Sequence, residues 1–194
     1  GGRGQEGWLD HALAAAQVPA RSHPGLAMGY SRLSARRTSL IVDASLPPAG
    51  KASYNAHAST LAFELTSGRR PLIVNCGAGE NFGLEWRRAG RATPSHSGIC
   101  LEGHSSARLA PPQKITGQEY LIEPPSDVPI ERVEHDDGYR FQGAHDGYGK
   151  HFGITVARAL ELSVDGRMLS GEDMLLALDD AAKRRFDRAL DAGA

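Results

Sequence analysis

The stretch Phe152-Gly153-Ile154-Thr155-Val156-Ala157-Arg158-Ala159-Leu160-Glu161-Leu162-Ser163-Val164-Asp165-Gly166-Arg167-Met168-Leu169-Ser170-Gly171-Glu172-Asp173-Met174-Leu175-Leu176 decides the fold class. It reads as two strands, 152–164 and 167–176, joined at Asp165-Gly166, a dipeptide that favours a tight hairpin turn. Working outward, the same grammar repeats. Strands are expected at 26–33 and 38–44 around Ser34-Ala35-Arg36, at 57–66, and at 71–76 after the turn Ser67-Gly68-Arg69. Further strands are expected at 97–102, 115–123, 128–135 and 138–145. Many strands with short, turn-rich connections predict a mainly β protein, an antiparallel two-layer sandwich, rather than alternating βα units.

Helical spacing is confined to the ends. Residues 6–17 carry Trp8, Leu9 and Leu13 at helical spacing and stop before Pro19, a short N-terminal helix. Residues 179–191 place Asp179 and Asp180 first and Lys183, Arg184 and Arg185 later, with Ala182, Phe186 and Leu190 recurring at every fourth position. That segment is either a C-terminal helix with its charges suited to the dipole or a charged tail.

Composition narrows the function. The 194 residues hold 22 Lys+Arg against 23 Asp+Glu, a net charge of −1, with 23 Gly, 11 Pro and two cysteines, Cys76 and Cys100. Near-neutral charge and a pI near 6.8 argue against a general nucleic-acid or polyanion binder and leave a local basic patch open. No apolar run approaches the ~20 residues that span a bilayer. Two cysteines are too few for a disulfide scaffold, although they could form one bridge. The chain starts Gly1-Gly2 and reads as a piece of a longer protein.

Pro71–Cys76 runs into Gly77-Ala78-Gly79-Glu80-Asn81-Phe82-Gly83, which mimics the glycine cradle of a dinucleotide site. The room for a following helix, residues 84–92, is short, and 103–176 supplies none of the helices that such a sheet needs. A loop between strands is the favoured reading. Of eight histidines, none shows the pairing of a zinc finger or a His-Glu-x-x-His helix. His57 and His96 stand out because each sits at the mouth of an expected strand, with Asn75 and Cys76 closing another.

Taken together, residues 55–65 (Asn55-Ala56-His57-Ala58-Ser59-Thr60-Leu61-Ala62-Phe63-Glu64-Leu65), 71–77, Trp86-Arg87-Arg88 and 91–97 resemble the C-terminal β domain of heparinase II/III-like polysaccharide lyases. Gly29-Tyr30, His145-Asp146-Gly147-Tyr148 and Gly171-Glu172-Asp173 agree with it. The resemblance implies three parts: residues 1–25 as the helical trailing edge of an absent N-terminal α/α-toroid domain, 26–178 as the β-sandwich, and 179–194 as the charged helix or tail.

It also implies β-eliminative cleavage of acidic, uronate-containing polysaccharide once the toroid is joined, and a periplasmic or cell-envelope place. A base removes the proton α to the carboxylate, a polar side chain supports the enolate-like charge, and an acid protonates the leaving oxygen. The family's His-x-His-x-Asp motif falls on Asn55 and His57. The catalytic-type histidine is therefore Asn55 here, and His57, Asn75 and His96 take the places of the ligands of a structural Zn2+, with Cys76 as an alternative ligand. A hydrogen-bonded polar cluster in the metal's place is the competing reading. Trp86, Arg87, Arg88 and Arg91 are expected to bind an acidic sugar or to face the toroid, a solvated loop with a buried Trp being the bland alternative. His145, Asp146 and Tyr148 read as turn-stabilising residues. The fragment alone is not expected to cleave polysaccharide, and the other class in play is a non-catalytic carbohydrate-binding or structural module, which Asn55 favours.

Overall fold

A computed structural model describes residues 26–101 and 103–192. The expected helix at 6–17 lies outside them. The first sheet runs β1 (Leu26–Ala27), β2 (Tyr30–Ala35), β3 (Thr38–Asp43), β4 (Phe63–Ser67) and β5 (Arg70–Ile73), each antiparallel to its neighbour. A two-stranded ribbon follows, β6 (Arg108–Leu109) with β7 (Leu121–Ile122). The second sheet holds β8 (Ile130–His135), β9 (Gly138–Tyr148), β10 (Ile154–Ser163) and β11 (Leu169–Leu176) in the order β11-β10-β9-β8, again antiparallel.

Alternation along the strands builds the core. β2 turns Ser31, Leu33 and Ala35 inward, β3 turns in Thr38, Leu40 and Val42, and β10 turns in Ile154, Val156, Arg158, Leu160 and Leu162. Leu33, Leu40, Val42, Leu61, Leu65, Phe141, Leu160 and Leu162 form one buried cluster between the sheets, the packing expected of a sandwich. Two polar contacts fix how the layers meet. Thr38 Oγ1 donates to the Gly166 carbonyl at 2.6 Å, and a Cβ on Gly166 would lie 2.3 Å from the Ala35 carbonyl, so the Asp165-Gly166 turn rests directly on the β2–β3 hairpin. Arg158, buried on β10, makes a two-pronged pair with Asp173 on β11 (2.6 and 2.8 Å) and donates to the carbonyls of Leu61 and Ser97 at 2.7 Å each.

The described residues also form three α-helices: α1 (Leu84–Gly90), α2 (Gly149–Phe152) and α3 (Asp180–Asp191). The C-terminal segment is thus a helix, not a tail. The Asp179 side chain caps it by accepting from the Ala182 amide at 2.7 Å, and Phe186 packs on the buried Tyr148, Ile154 and Val156. None of the helices among the described residues is long and apolar enough to cross a membrane.

Several expected strands are shorter. The chain from Ala56 to Ala62 is irregular, with Leu61 at a φ of 62°, and pairing begins only at Phe63. Ala58, Leu61 and Ala62 are buried, so burial rather than sheet pairing explains that apolar run. Among the described residues, the expected strand at 97–102 contributes only a bridge between Leu101 and His104, and that at 115–123 only β7. Cys76 and Cys100 are both free thiols.

Candidate functional site

Four residues singled out from the sequence, Asn55, His57, Asn75 and His96, line one cavity of about 690 Å3, together with Cys76. None of them lies within a strand. Asn55 ends a 3-10 turn (Gly50–Asn55), His57 follows it, Asn75 and Cys76 follow β5, and His96 follows a second 3-10 turn (Thr93–Ser95).

Two arginines on α1 and just past its end hold these loops. Arg91 is 0 % exposed and donates to the carbonyls of Ala56 (2.8 Å), Glu119 (3.0 Å) and Ser53 (2.8 Å), while its own carbonyl accepts from the Ala58 amide at 2.8 Å. Arg87, four residues earlier and also buried, donates to the Tyr54 carbonyl (2.8 Å) and to Asn55 Oδ1 (3.1 Å), pairs with Glu80 at 2.8 Å, and lies 4.4 Å over the Tyr54 ring. Spacing of four puts both on one helical face, against the loop that carries Asn55 and His57.

Arg87 and Arg91 thus do not lie on an exposed arginine surface. Their guanidiniums are consumed by internal acceptors. Arg88 points elsewhere and pairs with Glu119 at 3.0 Å. Trp86 is 65 % exposed, not buried, and meets Phe82 edge-on at 6.4 Å. The glycines that mimic a cradle serve close packing instead. A Cβ on Gly79 would lie 2.3 Å from the Trp86 carbonyl, and one on Gly90 2.6 Å from the Gly77 carbonyl. The helix that follows has seven residues, too few for a crossover.

Inside the cavity, His57 Nδ1 and His96 Nε2 are 3.2 Å apart with tilted rings. Burial lowers the His57 pKa to about 4, helped by His96 and Arg91, and the Gly90 carbonyl opposes this. Burial also lowers that of His96, again against the Gly90 carbonyl. Burial thus disfavours the charged form of both rings, and among the described residues no hydrogen bond of good geometry reaches the buried Nδ1 of His96. Asn75 Oδ1 accepts from the Ser97 backbone amide at 2.8 Å, and the Asn75 backbone N–H donates to Glu64 Oε1 at 3.3 Å.

These donors do not fit the zinc that the resemblance implies. Zinc takes three or four strong ligands. Here two neutral imidazoles come together, the third position is an amide oxygen already engaged by Ser97, and among the described residues no three His, Cys, Asp or Glu side chains converge.

Asp43, which sequence reasoning missed, also faces the cavity. It ends β3, accepts from Ser59 Oγ at 2.6 Å, and burial pushes its pKa up to about 6, with Ser59 and the Ser45 backbone pulling the other way. The one available signal was the motif acid expected two residues after His57. That position is Ser59, which reaches a carboxylate supplied from a distant strand.

A second cavity of about 1120 Å3 lies beside the outer face of α1 and takes in Arg88, Arg108, Lys150, His151 and Arg185. Glu123 gathers Lys150, His151 (3.1 Å) and Arg108 (3.3 Å), and the hydrogen bonds from Lys150 and His151 hold its carboxyl down at about 2. His145, Asp146 and Tyr148 have internal partners. His145 Nδ1 accepts from the Gly147 amide (3.1 Å), Asp146 accepts from the Ser126 amide (2.7 Å), and Tyr148 donates to the Ile99 carbonyl (3.0 Å).

Comparison with known proteins agrees with this architecture. The family model for the heparinase II/III-like C-terminal domain matches residues 17–191. FtsZ-localized protein C of Caulobacter vibrioides (strain NA1000 / CB15N) is 33% identical over 163 residues, which cover 79% of this chain but only 27% of that protein. No solved structure matches. With the family model covering the whole sandwich and the motif positions meeting in one cavity, the chain belongs to the heparinase II/III-like C-terminal domain family.

Proposed function

We propose that this chain is a saccharide-binding β module that does not itself catalyse β-elimination. The observation that carries this reading is Asn55. At the position of the family's catalytic-type histidine stands an amide that cannot take up a proton, its oxygen fixed by Arg87 at 3.1 Å. The two nearby imidazoles face each other and are poor bases, since burial holds both below the ordinary histidine range. What the cavity retains is a set of amide, hydroxyl and imidazole groups beside Tyr30, suited to sugar hydroxyls and a ring face.

The family is a C-terminal domain family, so cleavage of acidic glycan would belong to a toroid joined to this module and not to these residues. The test measures both properties on the same protein. Calorimetry against a panel of oligosaccharides should show binding, while a continuous assay for unsaturated uronate shows no product. Turnover of ~1 per second or faster refutes the reading, and so does failure to bind any saccharide of the panel.

A localisation module is the second reading, and the name of the Caulobacter relative favours it. Leu72, Val74, Phe82, Leu84 and Trp86 are large exposed apolar side chains that could serve a protein partner. Co-sedimentation with FtsZ polymers, lost on Trp86→Ala, would support it over sugar binding.

A further inference from the structure

The cavity holding Asn55, His57, Asn75 and His96 also presents two carboxylates, Asp43 and Glu64, and among the described residues no lysine or arginine lines it. Charge therefore opposes the acidic sugar expected from the resemblance. A uronate entering here would meet two acids and no cation. The nearest guanidiniums do not help, since Arg87 is spent on Glu80, Tyr54 and Asn55, and Arg91 on three carbonyls.

Asp43 is the more telling acid. It is mostly buried, yet among the described residues no cation pairs with it, and its hydrogen-bond support is the Ser59 hydroxyl and the Ser45 backbone. Withdrawn carboxylates are ordinarily paired, because an unpaired one gives up hydration without compensation. One that opens on a cavity can recover that loss from a cationic ligand. Tyr30, the cross-strand partner of Asp43, lines the same space and offers a ring on which a pyranose face can stack.

We propose that this cavity binds a saccharide bearing a free, protonated amino group, such as a glucosamine unit, with Asp43 receiving the ammonium and Glu64 adding to the negative field. The assignment rests on the saccharide-binding reading above and names the ligand class for that site.

The test is titration calorimetry at pH 7 and low salt with three probes of matched length: a glucosamine oligomer, its N-acetylated counterpart and an oligogalacturonate. The expected order is the amine tightest, by tenfold or more over the N-acetyl form, with the uronate weakest. Asp43→Asn should remove most of the preference for the amine over the N-acetyl form, and Glu64→Gln part of it. Equal or tighter binding of the uronate overturns the amine assignment and leaves sugar binding standing. An amine preference unchanged in Asp43→Asn overturns the role of Asp43. Failure of all three probes sinks the saccharide reading itself.

Discussion

Asp43→Asn tests the electrostatics of the cavity without any ligand. The Asp43 carboxyl has an ordinary pKa of 3.8 and is raised to about 6, chiefly by burial. A folded-state pKa above the unfolded one means that the folded chain holds its proton more tightly. The group's contribution to stability is then fully present below about pH 3.8 and is lost as pH rises through about 6. At ~1.4 kcal/mol per tenfold change in proton affinity, the gap is worth up to ~3 kcal/mol. Because the carboxyl is only partly withdrawn and opens on a cavity, ~2 kcal/mol is the better expectation.

The wild-type curve alone cannot show this, because His57 and His145 act in the opposite sense. Burial lowers both to about 4, so their contribution is present above 6.5 and lost as pH falls through 4. The difference between wild type and Asp43→Asn cancels the histidines. Urea unfolding at pH 4, 5, 6, 7 and 8 should show the variant gaining ~2 kcal/mol on wild type between pH 4 and pH 8, with most of the gain falling between pH 4 and pH 6. The amide can still accept from Ser59, so the variant should fold. Parallel curves across that range would refute the claim that Asp43 is held above its ordinary pKa.

Removing the Arg91 side chain strands three carbonyls, that of Ser53 buried and those of Ala56 and Glu119 partly so. Charged hydrogen bonds contribute ~1.5–3 kcal/mol each and do not add fully, so Arg91→Ala should cost ~3–5 kcal/mol and lower the melting temperature by about 10 °C. A change under ~2 °C by circular dichroism would return Arg91 to the surface role first expected of it. Arg88→Ala, by contrast, loses a half-exposed pair with Glu119 and should move stability by less than ~1 kcal/mol in the same melts. Prolonged dialysis against a strong chelator should leave the melting temperature unchanged, since the His57–His96 pair lacks a third strong donor, and a clear loss would mean that a structural ion had been stripped. Gly153→Ala should destabilise the seat of α3, because Gly153 has a φ of 68° and a Cβ there would lie 2.1 Å from the Ala182 carbonyl; faster hydrogen exchange across 180–191 is the readout.

The sandwich was legible because hairpin chemistry is local. Asp165-Gly166 announces its turn within two residues, and the strands on either side form as a pair. Convergence of residues 55, 57, 75 and 96 was legible through motif order. The start of β4 was not, since a buried irregular run such as Ala58–Ala62 has the same apolar content as a strand, and only the left-handed Leu61 separates them. The burial of the arginines was not legible for a related reason. Composition treats Arg87 and Arg91 as surface charge, whereas burial depends on whether carbonyls from elsewhere in the chain converge on them, and those come from residues 53, 54, 56 and 119. Asp43 escaped because its partner Ser59 is 16 residues away across an irregular loop.

A net charge of −1 conceals a separation that α1 organises. Its inward face sends Arg87, with Arg91 just beyond, into the loop that shapes the first cavity, where both charges are satisfied. That leaves the acids Asp43 and Glu64 as the charges presented there. Its outward face places Arg88 beside Arg108, Lys150 and Arg185, among the acids Glu85, Glu123 and Asp146, with Arg88 paired to Glu119. A sequence reading that pools Arg87, Arg88 and Arg91 into one basic surface joins side chains that the helix directs to different partners. An anionic sugar would meet two acids and no lysine or arginine at the motif cavity, so an amine-bearing ligand there requires no charge beyond those in place. It follows from where a seven-residue helix directs its arginines.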